Sequence, residues 1–135
     1  MKIKAILEEN NFAVLSTNSS TGFPESALVG FSSTEDLDIV FRSLNPSRKN
    51  QNIKKDSKVS MVIGFGESGW SLQIEGVANI LTKEDSTLLR ERHCQKLPVY
   101  KKFEDNDQNE YFMIKPLWFR YSDLSVNPVE VWEVV

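Results

Sequence analysis

The stretch Phe41-Arg42-Ser43-Leu44-Asn45-Pro46-Ser47-Arg48-Lys49-Asn50-Gln51-Asn52 runs from an apolar strand into a helix and concentrates donors and positive charge at the junction. From Arg42 to Lys58 there are six basic residues (Arg42, Arg48, Lys49, Lys54, Lys55, Lys58) against one acid, Asp56, a local charge of +5. The whole chain is −3, so everything outside that segment sums to −8. A phosphate dianion needs converging donors and positive charge that is not already neutralised. A helix start supplies free backbone N–H groups and the positive end of the dipole. Ser47, Arg48 and Lys49 fall in that first turn, and Arg42 and Ser43 come off the strand end before it. Residue type alone leaves two readings open: an anion site, or a solvated basic helix.

The elements that must position this junction are short and numerous. Ile3, Ile6 and Leu7 have helical spacing within residues 2–10, and Phe12 to Thr17 reads as a strand that turns at Asn18-Ser19-Ser20-Thr21-Gly22. Glu25 to Ser32 alternates, with Ala27, Val29 and Phe31 on one face and Ser26, Leu28 and Gly30 on the other. Leu37 to Arg42 is a third strand, and Asn45 before Pro46 suggests a helix N-cap. Lys58 to Phe65 and Trp70 to Leu81 are two more strands. Lys83 to Gln95 favours helix, with Leu88 and Leu89 as its expected buried contacts. Asn109 to Tyr121 is an aromatic strand broken at Pro116, and Val129 to Val134 alternates again. Six or seven strands with short turns predict a mainly β fold with flanking helices, an antiparallel sheet closed into a barrel.

Composition bounds the rest. The chain of 135 residues, 40% hydrophobic and 26% charged, is expected to form one globular domain over residues 1–135. Its longest apolar runs are too short to span a bilayer, and its mild negative charge argues against bulk nucleic-acid or membrane binding. The start Met1-Lys2-Ile3-Lys4-Ala5 lacks a secretory signal, and a single cysteine allows no internal disulfide; a cytoplasmic location is the expectation.

Other chemistry-bearing residues are sparse. His93, the one histidine, sits beside Cys94 in a charged helix, where a surface or helix-end role is expected. The two cannot form a metal pair, because adjacent helical residues point apart. Cys94 is expected to be a structural thiol. Trp70, Trp118 and Trp132 with Tyr111, Phe112, Phe119 and Tyr121 read as core or interface before they read as a stacking platform. The run from Glu104 to Glu110 reads as a solvated loop. A small barrel binding single-stranded nucleic acid through the basic helix is a rival, weakened by the acidic charge elsewhere.

The order of pieces is more specific than any one of them. Phe12 to Thr17, Gly22-Phe23-Pro24-Glu25-Ser26, Ile39-Val40-Phe41, Ser47-Arg48-Lys49-Asn50-Gln51-Asn52-Ile53, Asp56 to Val62 and Leu72 to Ala78 together resemble the pyridoxamine 5′-phosphate oxidase-like FMN-binding split-barrel family, in its short, general-stress-protein-like form. The resemblance implies a homodimer with FMN in each interface cleft, and an oxidoreductase role in which the flavin does the chemistry. It implies a phosphate held by Phe41, Arg42, Ser43, Ser47, Arg48 and Lys49, with Lys49 central. Gln51 and Asn52 would approach the ribityl chain or the partner, and Ser26 and Ala27 would line the flavin ring. Gln73 and Trp132 would come from the second subunit. The electron donor and acceptor are left open, and a non-catalytic carrier or sensor of FMN, haem or a deazaflavin is the alternative.

The chain also departs from true pyridoxamine 5′-phosphate oxidases. The strand Glu25-Ser26-Ala27-Leu28-Val29-Gly30 lacks the arginine and lysine of their flavin motif. The ending Val129-Glu130-Val131-Trp132-Glu133-Val134-Val135 has no basic residue with which to hold a substrate phosphate.

Overall fold

A computed structural model describes residues 2–64 and 66–135. Helix α1 (Lys2–Glu9) leads into strands β1 (Phe12–Asn18), β2 (Pro24–Ser33) and β3 (Ile39–Leu44). Helix α2 (Arg48–Lys55), strands β4 (Lys58–Ile63) and β5 (Trp70–Ile80) and helix α3 (Lys83–Lys96) follow. A 3₁₀ turn (Pro98–Phe103) precedes β6 (Asn109–Asp123) and β7 (Glu130–Val134).

The sheet is antiparallel throughout, in the order β3-β2-β1-β4-β5-β6-β7, and an additional β3–β6 pairing closes six strands into a barrel. Closure is possible because β6 is long enough to serve two partners along one edge. Its first half, from Asn109 to Ile114, pairs with β3, and its second half, from Phe119 to Asp123, pairs with the extra strand β7. Alternate residues of the strands form the core, among them Ala13, Leu15, Phe31, Ile39, Phe41, Ile63, Leu72, Ile74, Phe112 and Ile114, with Ile3, Ile6 and Leu7 of α1 against them.

The structure corrects several expectations. Ser47, in extended conformation, is the N-cap of α2, so Asn45 and Pro46 belong to the turn before it. Pro116 does not end a strand. It lies opposite Gly76, and the register shifts between Glu75 and Gly76, so the chain absorbs the proline as a bulge around Leu117. The β4 run stops at Ile63, and its expected end at Phe65 lies outside the described residues. Leu88 is 78% exposed, not a buried contact. Helix α3 instead buries Ser86, His93 and Cys94, followed by Leu97.

Strand β2 explains why α3 packs there. Its first half alternates in burial, but from Val29 to Ser33 both faces are covered. The second cover is α3 and the 3₁₀ turn. Ser32 Oγ is 2.9 Å from His93 Nδ1, and a Cβ on Gly30 would fall 2.6 Å from the Tyr100 ring. Glycine is therefore what lets Tyr100 lie on the sheet.

Candidate functional site

Helix α2 is fastened to the barrel by two acids, one on each side. Glu25 of β2 accepts from Arg48 Nη1 at 2.7 Å and from Asn52 Nδ2 at 2.8 Å. Glu110 of β6 accepts from Asn50 Nδ2 at 3.0 Å and pairs with Lys54 Nζ at 2.9 Å. Asn52 Nδ2 also reaches Thr17 Oγ1 at 3.0 Å, and Gln51 Nε2 donates to the Asn45 carbonyl at 2.8 Å. Hence part of the basic island is neutralised within the chain. Asn50 and Asn52 are buried and anchor the helix, while Gln51 clips the turn before it.

Three cations of the island have no paired acid among the described residues: Lys55, exposed at the end of α2, and the half-buried Lys49 and Arg42. Burial pushes the Lys49 ammonium below its ordinary pKa, as expected of a lysine that loses water without gaining a carboxylate. Arg42 Nη1 is buried without a hydrogen-bond partner, and its guanidinium lies over the Tyr100 ring, 5.2 Å from the centroid.

Lys49 and Arg42 both line one cleft of about 340 Å³, formed by Leu28, Val29 and Gly30 of β2, Arg42, Ser43 and Leu44 of β3, Lys49, and the cap of His93, Tyr100, Phe103, Asn106 and Asn109. That wall contains no acid. Its volume is within the ~300–1,000 Å³ of small-molecule sites. A smaller hollow of about 130 Å³ adjoins it through the shared Lys49 and is lined by Thr17, Glu25, Ser26, Ala27 and Arg48. Ser43 Oγ lies 3.4 Å from Ser47 Oγ, and no side chain caps the first turn of α2, which leaves donors at the helix start for an incoming anion.

The expected site residues therefore divide. Arg42, Ser43 and Lys49 line the larger cleft, and Ser26, Ala27, Arg48 and Lys49 the smaller hollow. The Phe41 side chain is fully buried and stacks on Phe112 with centroids 5.2 Å apart, so only its backbone could face a ligand. Gln73 is exposed on β5, in a different hollow with Ser60, Met61 and Trp118. Trp132 stacks on Tyr121 at 5.1 Å and packs against the core of its own chain. Neither lines the cleft within one chain.

The cap supplies site residues that sequence reasoning missed. His93 is 1% exposed, not on the surface. Its ring stacks parallel to Tyr100 at 6.2 Å and meets Tyr111 edge-on at 5.8 Å. Burial above all, helped by the charges of Arg42 and Lys96, lowers its pKa to about 4, so the imidazole is neutral near pH 7. Asn106 and Asn109, inside the run that reads as a solvated loop, also line the cleft, and Glu110 is a helix anchor. The interior glycine Gly30 was the available signal of a close approach. Among the described residues no cluster of His, Cys, Asp or Glu could hold a metal, and no helix is long and apolar enough to cross a membrane.

Comparison with known proteins agrees with this architecture. A search of curated proteins finds no match. Among solved structures, a haem-binding protein from Mycobacterium smegmatis superposes with a TM-score of 0.83 at 16% identity, over 98% of this chain and 56% of that one, so the chain spans little more than half of that protein. A Clostridium acetobutylicum protein related to general stress protein 26 of B. subtilis, of the pyridoxinephosphate oxidase family, gives 0.76 at 13% identity over 98% and 92% of the two chains. An F420 reductase gives 0.71 at 18% identity, over 86% and 94%. These likenesses show the fold. The family model described as pyridoxamine 5′-phosphate oxidase matches residues 1–123, nearly the whole closed barrel, and the chain belongs to that family.

Proposed function

We propose that the chain is an FMN-binding protein, a flavin-dependent oxidoreductase whose 5′-phosphate site is centred on Lys49. The carrying observation is the pairing pattern of the island: Arg48 and Lys54 are matched by Glu25 and Glu110, while Lys49 is desolvated, unmatched, and set beside Ser43 on a wall without acids. A phosphate at the start of α2 would neutralise Lys49 and accept from the Ser43 and Ser47 hydroxyls and the uncapped first turn. Arg48 would add long-range attraction only, because Glu25 already holds it.

Bound FMN would supply redox chemistry through its ring system. The chain would supply position. Ser26 and Ala27, small and on the rim of β2, leave room beside the sheet, and Leu28 and Leu44 offer apolar surface. Arg42, His93 and Tyr100 close the far end of the cleft. The absence of a carboxylate along that wall avoids repulsion with a reduced, anionic flavin. A homodimer would bring Gln73 and Trp132 from the second copy toward the cofactor, and a cytoplasmic setting suits the free buried Cys94.

A second reading is a carrier of haem. It is favoured by His93, a neutral imidazole on the cleft wall with Nδ1 held by Ser32 in the manner of oriented metal-ligating histidines. One titration series separates the two. FMN added to the purified protein should give a saturable shift of the flavin absorption bands, with hemin giving no His93-dependent Soret band. No FMN binding, or a Soret band abolished by His93→Ala, would reverse the assignment.

A further inference from the structure

The far end of the cleft has an unmet need of its own. Arg42 and Tyr111 are register partners on β3 and β6. Arg42 Nη1 and the Tyr111 hydroxyl are both buried without a well-formed hydrogen bond. The phenol lies behind the cleft wall, close enough to Arg42 and Cys94 to feel both, so the guanidinium is the group that can turn to a ligand. Arg90 places its guanidinium over the Tyr111 ring at 4.6 Å, so a second cation stands behind the first. No Asp or Glu pairs with either arginine among the described residues. A buried donor left unmade costs about 1–3 kcal/mol, and more when charged, so such a group in a cleft wall points to a ligand that satisfies it.

The missing partner must accept hydrogen bonds and carry negative charge, since Arg42 can only donate. Its neighbours say what the rest of it is like. The half-buried Tyr100 ring lines the cleft beside Arg42 with His93 stacked on it, and Leu28, Leu44 and Phe103 make the nearby wall apolar. A guanidinium forks onto a carboxylate or a phosphate alike, so the choice between them falls to the apolar and aromatic wall beside Arg42, which suits an acid carried on a flat ring better than a bare tetrahedral anion. Lys49 borders both hollows and Arg42 only the larger one, so the two cations need not share one anion.

We infer that the Arg42 end of the cleft is a substrate subsite that binds the carboxylate of a flat, aromatic or conjugated organic acid, with Arg42 as the specificity-determining residue. The inference rests on the phosphate being held at Lys49. It makes the redox partner of the flavin a small anionic organic molecule, whose ring would lie against Tyr100.

The sole histidine provides a reporter that does not depend on turnover. Benzoate would be titrated into FMN-free and FMN-loaded protein, with the ring-proton NMR signal of His93 followed, and benzamide as the uncharged control. FMN occupancy is read separately from flavin absorbance, so failure of the flavin reading and failure of this one are distinct. The expected result is saturable benzoate binding in both forms, at least about tenfold tighter than benzamide, as loss of a charge-assisted bond implies. Arg42→Met should weaken benzoate by about tenfold or more, and Arg42→Lys should recover part of it. Equal binding of benzamide, no saturable shift, or an unchanged affinity in Arg42→Met would overturn the inference. So would benzoate binding only without FMN, because the Arg42 end would then belong to the flavin itself.

Discussion

Arg48 Nη1 lies 2.7 Å from Glu25 Oε2, while Lys49, one residue further along α2, forms no ion pair among the described residues. This difference between neighbours separates the cation that fastens the helix from the cation left for a ligand. Arg48 is 78% exposed, so the ion pair itself adds little stability. Its larger effect is to lower the positive potential at the start of α2. Glu25→Gln keeps an acceptor for Asn52 but frees Arg48, and is expected to tighten FMN binding by about two- to fivefold at low salt. The gain should fade as ionic strength rises, checked by flavin fluorescence titration at two salt concentrations.

His93 gives the fold a pH dependence with a definite sign. Its pKa falls from 6.5 to about 4 on folding. Between those values the unfolded chain binds a proton that the native chain refuses, so stability rises with pH across the window. The contribution is fully present above about 6.5 and is lost as pH falls toward about 4, roughly 3 kcal/mol in all. Urea unfolding at pH 7 and pH 4.5 should show that loss in the wild type and a smaller one in His93→Asn. Equal losses would contradict it.

Gly30→Ala tests the seat of Tyr100. The added Cβ would meet the Tyr100 ring at 2.6 Å and Leu97 Cδ1 at 3.1 Å. The expected cost is about 1–3 kcal/mol of overpacking, partly recovered in Gly30→Ala/Tyr100→Ala, both read from thermal unfolding. A neutral single variant would mean that the 3₁₀ turn does not rest on the sheet.

Leu88 in the middle of α3 and Leu97 just past its end should behave oppositely. Leu97 is 3% exposed and Leu88 78%. Leu97→Ala is expected to cost about 2–5 kcal/mol, and Leu88→Ala to stay within roughly 0.5 kcal/mol. Chemical denaturation of the two variants compares them directly.

That pair also marks where the sequence was informative. The barrel was legible because its strands alternate on a period of two and their turns are short, so Val29 and Phe31, both buried, could be put on one face from pattern alone. The α2 junction was legible through its charge. The cap was not. Helix α3 buries Ser86, His93 and Cys94, a face without hydrophobic periodicity, and so its orientation was inverted toward Leu88. Pairing across long sequence separations was equally hidden: Glu25 and Glu110, which pair with two of the island's six cations, come from strands far from it in the chain. Charge can be counted along a sequence, but which charges remain unmatched depends on the fold.

The most direct test of the account compares FMN with riboflavin, which lacks the phosphate, in wild type and Lys49→Ala. If Lys49 holds the phosphate, the wild type should bind FMN much more tightly than riboflavin. The variant should lose about ten- to a hundredfold in FMN affinity, with riboflavin affinity and thermal stability unchanged. Equal FMN affinity in the two proteins, or a parallel loss for both ligands, would contradict the placement of the phosphate at Lys49.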